Sequence, residues 1–210
     1  MKQAFAAEIM AELEKLYPQA RPELNFTNPY ETLVATILSA QCTDKRVNKV
    51  TEKLFAMYPD AFAMSKLTPE ELEPIIRECG LFRSKAKNII NASKALVEQY
   101  DGQVPSTRRE LMALPGVGQK TAGVVLLAAF GDDQIPVDTH VFRVSKRIGL
   151  ADASTPEKVE LQLREILDQK IWSFAHHLLI WHGRRICHAQ KPDCAACPLK
   201  EKLCAYTDKQ

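Results

Sequence analysis

Leu114-Pro115-Gly116-Val117-Gly118-Gln119-Lys120-Thr121-Ala122 sets a proline and two glycines directly ahead of a lysine and an apolar run. Upstream, Thr107-Arg-Arg-Glu110 has the spacing of a capping box, so a short helix opens there and runs through Leu114, where Pro115 stops it. A second helix follows from about Gln119 to Phe130, and residues 124–130, apolar on every side, are expected to be buried. Gly116 and Gly118 allow backbone angles closed to other residues and keep Cβ atoms out of the turn. The first amides of the second helix have no intrahelical acceptor, and such an end attracts a phosphate. Two short helices joined by Gly-Val-Gly therefore read as a helix-hairpin-helix, which holds one DNA strand by its backbone and carries no sequence information.

Two other readings of this stretch exist. A P-loop needs its lysine directly after a glycine that lies five positions beyond another, but Gln119 precedes Lys120 and position 114 is leucine. The other is a helix-turn-helix corner whose glycines serve packing alone. Twenty residues on, Val137-Asp-Thr-His-Val-Phe-Arg143 supplies a carboxylate, and the pairing of Lys120 with Asp138 gives the hairpin something to act with.

The rest of the chain reads as helix. Asn28-Pro-Tyr-Glu31, Thr68-Pro-Glu-Glu71 and Ser154-Thr-Pro-Glu157 set a cap, a first-turn proline and an acid in helix-starting order. Phe82, Ala86, Ile89, Ile90, Ser93, Leu96, Val97 and Tyr100 form one helical stripe. No alternating strand pattern, low-complexity linker or solenoid-period repeat is present. The fold class is all-α.

With 210 residues and 46% hydrophobic content, the chain can bury one generous core or two modest ones. A net charge of +2 is too small to announce a nucleic-acid binder, but its distribution is uneven. Residues 81–100 carry Arg83, Lys85, Lys87 and Lys94 against Glu98, and residues 140–147 carry Arg143, Lys146 and Arg147 unopposed. Taken alone, a run such as 81–100 reads as a solvated basic face. The first seventeen residues suit an amphipathic helix and no signal peptide, and no apolar run approaches a membrane span. A soluble, reducing, cytoplasmic setting without membrane contact is the expectation.

Four of the six cysteines, Cys187, Cys194, Cys197 and Cys204, fall in the C-terminal tail. Clustered thiols at one end of an intracellular chain read as a metal site, and four thiolates suit zinc or an iron-sulfur cluster. Cys42 and Cys79 read as buried small hydrophobes.

These stretches, with Leu38-Ser-Ala-Gln-Cys-Thr-Asp44, Gly80-Leu-Phe-Arg-Ser-Lys-Ala86 and His182-Gly-Arg, occur together and in order. In that combination the chain resembles the endonuclease III family, iron-sulfur helix-hairpin-helix DNA glycosylases with an associated lyase activity, nearly from end to end. The resemblance implies a helical-barrel domain over residues 22–132 and a discontinuous cluster domain from residues 1–21 and 133–210, with DNA in the groove between them. It implies a monomer of bacterial, DNA-associated type that releases oxidised pyrimidines from double-stranded DNA and cleaves abasic strands by β-elimination. Lys120 matches the family's nucleophile and Asp138 its catalytic aspartate. Gln41 and Leu81 match residues inserted into the duplex when a nucleotide is flipped out. Gly116, Gly118, His140 and Lys191 are the further DNA-binding candidates, and Ser39 and Asp44 the pocket candidates.

The resemblance also implies that the four tail cysteines hold a four-iron four-sulfur cluster. One departure is visible: six residues separate Cys197 from Cys204, one more than the family's usual spacing. Two other functions are weighed against this one, a monofunctional glycosylase of the same superfamily and a noncatalytic DNA-binding protein. Lys120 opposes the first, and the pair Lys120 and Asp138 opposes the second.

Overall fold

The computed structural model describes residues 2–206; Met1 and residues 207–210, the outermost ends of the expected cluster domain, lie outside the described residues. In chain order the α-helices are α1 (Lys2–Leu16), α2 (Pro29–Ser39), α3 (Asp44–Met57), α4 (Ala61–Ser65), α5 (Pro69–Ile76), α6 (Phe82–Tyr100), α7 (Arg108–Ala113), α8 (Gln119–Phe130), α9 (Thr139–Arg147), α10 (Pro156–Ile166) and α11 (Trp172–Arg185). Short 3-10 turns at Arg77–Cys79 and Gln169–Ile171 precede α6 and α11. Among the described residues there is no strand, and no helix is long and apolar enough to cross a membrane.

The starts follow from local chemistry. Asn28 accepts from the Glu31 amide with Pro29 in the first turn of α2, and Thr68 with Glu71 forms a complete capping box on α5. Thr107 accepts from the Glu110 amide, and Thr155, one residue beyond Ser154, does the same for Lys158. Each such cap stabilises its helix by about 1 kcal/mol.

The chain divides into two compact units, Pro22–Asp132 and the described residues of Met1–Arg21 and Asp133–Gln210. In Pro22–Asp132, α2 packs on α8 and α3, while α6 packs on α4 and α5. Its core gathers Leu33, Leu38, Leu54, Leu72, Ile89 and Leu96. Burying each such side chain contributes about 1.5–3 kcal/mol relative to exposure. The stripe on α6 is as expected at Ala86, Ile89, Ile90, Ser93 and Leu96, with Phe82, Val97 and Tyr100 packed partly buried against the core. Lys85 is buried with them, which the reading of 81–100 as a solvated face missed. Cys79 is buried and Cys42 half-buried beside it. The run 124–130 is less uniform than its composition suggests: Val125, Leu126 and Leu127 are buried, but Phe130 is 36% exposed.

In the other unit, α11 packs on α9 and α1, and α10 on α1 and α9. Ala6, Ile9, Met10 and Leu13 of α1 meet Val141, Val144, Leu163, Leu178 and Leu179. The N-terminal amphipathic pattern thus makes a real core face.

Two histidines of α11 are held neutral by their surroundings. Burial, with the neighbouring His176, pushes His177 down from 6.5 to about 3, and burial pushes His182 down to about 4. A histidine with its folded pKa depressed takes up its proton first in the unfolded chain, so its stabilising contribution is whole above about pH 6.5 and declines as pH falls toward the folded value. Acidification from pH 7 to pH 5 is expected to cost about 1–2 kcal/mol through His177. Thermal melts at the two pH values check this: His177→Gln should flatten the fall in Tm, and equal slopes in both proteins would contradict it.

Candidate functional site

In the hairpin, α7 ends at Ala113 with Leu114 as its cap, and Leu114, Val117 and Ala122 plug the turn into the core. Gly116 has φ +78°, and a Cβ there would lie 2.7 Å from Cβ of Asn88, so neither the angle nor the space admits another residue. Gly118 differs from its expected role. Its φ of −93° and ψ of −178° are ordinary extended values, and a Cβ would meet nothing within 4 Å. This glycine leaves open space in front of the turn and is not needed for its angle. Lys120 follows on the exposed first turn of α8, where unpaired amides and the positive end of the helix dipole lie.

The loops after α2 and before α6 come together in the same unit. A Cβ on Gly80 would lie 3.8 Å from the Gln41 carbonyl oxygen, so the backbones at Gln41 and Gly80 are neighbours. Gln41 is exposed with φ 53°, and Leu81 is 59% exposed with φ 47°. Among the described residues the other non-glycine positions with positive φ are Asp101, which caps α6, and Lys191. Three of these four are thus residues that the family resemblance singles out for DNA contact. Left-handed backbone costs on the order of 1–3 kcal/mol for a side chain such as leucine and persists only where its surroundings impose it. Ser39 turns its hydroxyl back to the Thr36 carbonyl at 2.8 Å, and Asp44 is the first residue of α3.

In the other unit, Asp138 also has a capping role. It is the N-cap of α9, where Oδ1 accepts from the amides of His140 and Val141, each at 2.8 Å. His140 is half-buried. Burial pushes its pKa down, Asp138 opposes this, and the Arg143 and Arg184 cations push it further down. Arg143 donates to the carbonyls of Gly183 at 2.9 Å and Cys187 at 3.0 Å, and to His140 Nδ1 at 3.2 Å when that nitrogen accepts. Gly183 makes room for this: a Cβ would lie 3.1 Å from Arg143 Nη2 and 3.0 Å from Val144 Cγ2.

The four tail thiols are free, and burial pushes those of Cys197 and Cys204 up. Both also feel Cys187 and Cys194, so all four sulfurs share one neighbourhood. Arg147 reaches Cys187 Sγ at 3.6 Å and donates to the carbonyls of His188 at 2.5 Å and Ala189 at 3.0 Å. Cys204 Sγ donates to the Arg147 carbonyl at 3.6 Å, and Cys197 Sγ lies 3.6 Å from His182 Nε2. Between Cys197 and Cys204 the Leu203 N–H donates to the Leu199 carbonyl, and both leucines are buried. Among the described residues, no three His, Cys, Asp or Glu side chains are gathered for one metal ion. Soft sulfur donors, flanked by a guanidinium and a neutral histidine, fit an anionic thiolate-ligated centre. Lys191 stands exposed between the first two cysteines.

Sequence reasoning missed Lys85 as a buried residue and Arg143 and Arg147 as half-buried ones. All three lie in or beside the stretches that carry the resemblance, but their positive charge pointed to the surface.

Residues 34–169 match the model of the HhH-GPD superfamily of base excision DNA repair proteins. The endonuclease III of Synechocystis sp. is 50% identical over 200 residues, covering 94% of this chain and 91% of that protein. The endonuclease III of Rickettsia conorii is 48% identical over 206 residues and 98% of each chain. A solved structure of a trapped endonuclease III–DNA covalent intermediate, the estranged-adenine complex, superposes with a TM-score of 0.93 at 47% identity, covering 98% of this chain and 96% of that one. The chain therefore belongs to the HhH-GPD superfamily and, within it, to the endonuclease III family.

Proposed function

We propose that this chain is a bifunctional DNA glycosylase and abasic-site lyase of base excision repair, which releases oxidised pyrimidines from double-stranded DNA. The observation that carries this reading is Lys120, exposed on the first turn of α8 directly behind the open space at Gly118. A trapped covalent DNA intermediate has been solved for an endonuclease III, which supports reading that exposed amine as the nucleophile.

Each group has a distinct task. The hairpin amides hold phosphate, and the Lys120 amine attacks the anomeric carbon as the damaged base departs with the bonding electrons. An alkylammonium must lose its proton before it can attack. Ring opening gives an imine with the lysine, and removal of a proton from the neighbouring sugar carbon expels the 3′ phosphate by β-elimination. Asp138 supplies the fixed negative charge that stabilises positive charge developing on the sugar. Gln41 and Leu81 fill the gap left by the extruded nucleotide, whose unstacking costs a few kcal/mol. Ser39 and Asp44 border the pocket, His140 supports the backbone contact from α9, and Lys191 contacts phosphate.

Cys187, Cys194, Cys197 and Cys204 would hold a four-iron four-sulfur cluster, with thiolate on every iron and thus a structural role in stiffening the loop that presents Lys191. Arg143 and Arg147 hold that loop through its carbonyls and offset the negative charge of the thiolates.

Borohydride reduction in the presence of abasic DNA should give a covalent protein–DNA adduct that Lys120→Gln abolishes while binding persists; undiminished trapping by the variant would refute the assignment. For Asp138→Asn the expectation is a fall in base release of about a hundredfold or more with stability within about 1 kcal/mol of the parent, since asparagine caps a helix as well as aspartate does. Matched losses of Tm and turnover would reduce Asp138 to a cap. The purified protein should be yellow-brown, with iron and acid-labile sulfide in about equal amounts. Cys204→Ser should bleach it, whereas colourless protein with one zinc and no sulfide would overturn the cluster.

A further inference from the structure

Lys85 lies on α6 among apolar side chains, 4% exposed, although lysine is almost never fully buried without partners. Its ammonium donates to two main-chain carbonyls: that of Leu38, at 2.9 Å, and that of Cys79. Leu38 lies in the last turn of α2, and Cys79 closes the 3-10 turn Arg77–Cys79. Carbonyls at helix ends lack intrahelical donors, and a cation there meets both the hydrogen-bonding need and the negative end of the helix dipole. Burial pulls the Lys85 pKa down, and the adjoining Cys42 and Cys79 thiols work against that pull.

The residues just beyond each carbonyl give the clamp its meaning. Three residues after Leu38 stands Gln41, and two after Cys79 stands Leu81, both exposed and both in left-handed backbone. Gly80, at φ 55° and ψ 154°, occupies a region open to glycine alone and lies against the Gln41 carbonyl. The Lys85 amide also donates to the Leu81 carbonyl, at 3.1 Å. One residue therefore grips both loops from beneath.

We infer that Lys85 is a positioning residue for lesion extraction: its buried ammonium, shared by the carbonyls of Leu38 and Cys79, fixes the two turns that present Gln41 and Leu81 to the duplex. This rests on the proposed insertion of those two side chains. Lys85 has no part in the chemistry at the sugar, so its loss should be felt only where a nucleotide must be drawn out of a stack.

The test compares two substrates, a duplex carrying one oxidised pyrimidine and a single-stranded oligonucleotide carrying an abasic site, which needs no extraction. Lys85→Met should lower kcat/KM on the duplex by about tenfold or more, as expected for a lost charge-assisted contact, and leave strand cleavage of the single strand within about twofold. Lys85→Arg, which keeps the donors, should recover part of the duplex activity. In a Leu81→Ala background Lys85→Met should cost less than it does in the parent, because part of its effect acts through the Leu81 turn. If Lys85→Met does not fold, Lys85→Gln, which keeps a shorter donor, is measured in the same way and should show the same selective loss. Equal losses on both substrates, or full additivity with Leu81→Ala, would overturn the inference. If Leu81→Ala keeps the parental duplex-to-single-strand ratio, the insertion reading fails and the inference with it; an unchanged ratio in the Lys85 variants alone removes only Lys85.

Discussion

Every α-helix leaves amides at its start and carbonyls at its end without intrahelical partners, and this constraint organises the candidate site. Short helices make such ends frequent: α7 spans six residues and α4 five. The chain uses the two kinds of end differently. The start of α8 at Gly118 carries no side-chain cap, whereas the start of α9 is closed by Asp138. Ends are closed from within by buried or half-buried cations, Lys85 beneath α2 and Arg143 beneath the last turns of α11. The first amides of α8 thus stay open to an anion, while two of those of α9 are taken by Asp138 and the end carbonyls of Leu38 and Gly183 are taken by cations.

Arg143 and Arg147 apply the same logic to the cysteine loop. Both direct their N–H groups at carbonyls of residues 183–189. A guanidinium suits this because its planar fork reaches several acceptors at once and stays charged when half-buried. Arg147 also stacks over Tyr206, with the guanidinium carbon 4.6 Å from the ring centroid, which ties the segment after Cys204 to α9. Between Cys197 and Cys204, Leu199 and Leu203 are buried in the core of this unit, while Pro198, Lys200, Glu201 and Lys202 are exposed.

Much of the fold was legible because its signals are local. The caps at Asn28, Thr68 and Thr107, the stop at Pro115, and the bounds of α8 all depend on residues within one turn of each other. The candidate site was legible in its motifs and less so in its support. Lys85 reads as one cation in a basic run because one of the two carbonyls it serves lies 47 residues away in sequence. Gly118 reads as a conformational glycine, but only the structure distinguishes a residue that needs its angle from one that keeps space clear. Asp138 was picked out by resemblance, while the capping geometry that holds one of its oxygens was written in the ordinary Asp-Thr-His start of α9 and went unread.

The left-handed residues bring stability and function into opposition. Glycine at Gln41, Leu81 or Lys191 would relieve the backbone, and each site instead carries a long side chain. Strain of this kind persists where the surrounding structure imposes it, and such positions are candidates for a functional role. At Leu81 the side chain does not offset the cost by burial, being 59% exposed. A rigid anchor beneath the turn is then a physical requirement. An exposed apolar side chain on a loose loop would fold down onto the core, whereas one held in αL backbone by Gly80 and Lys85 stays projected. The buried cation and the exposed leucine are two halves of one device, and neither is explained by stability alone.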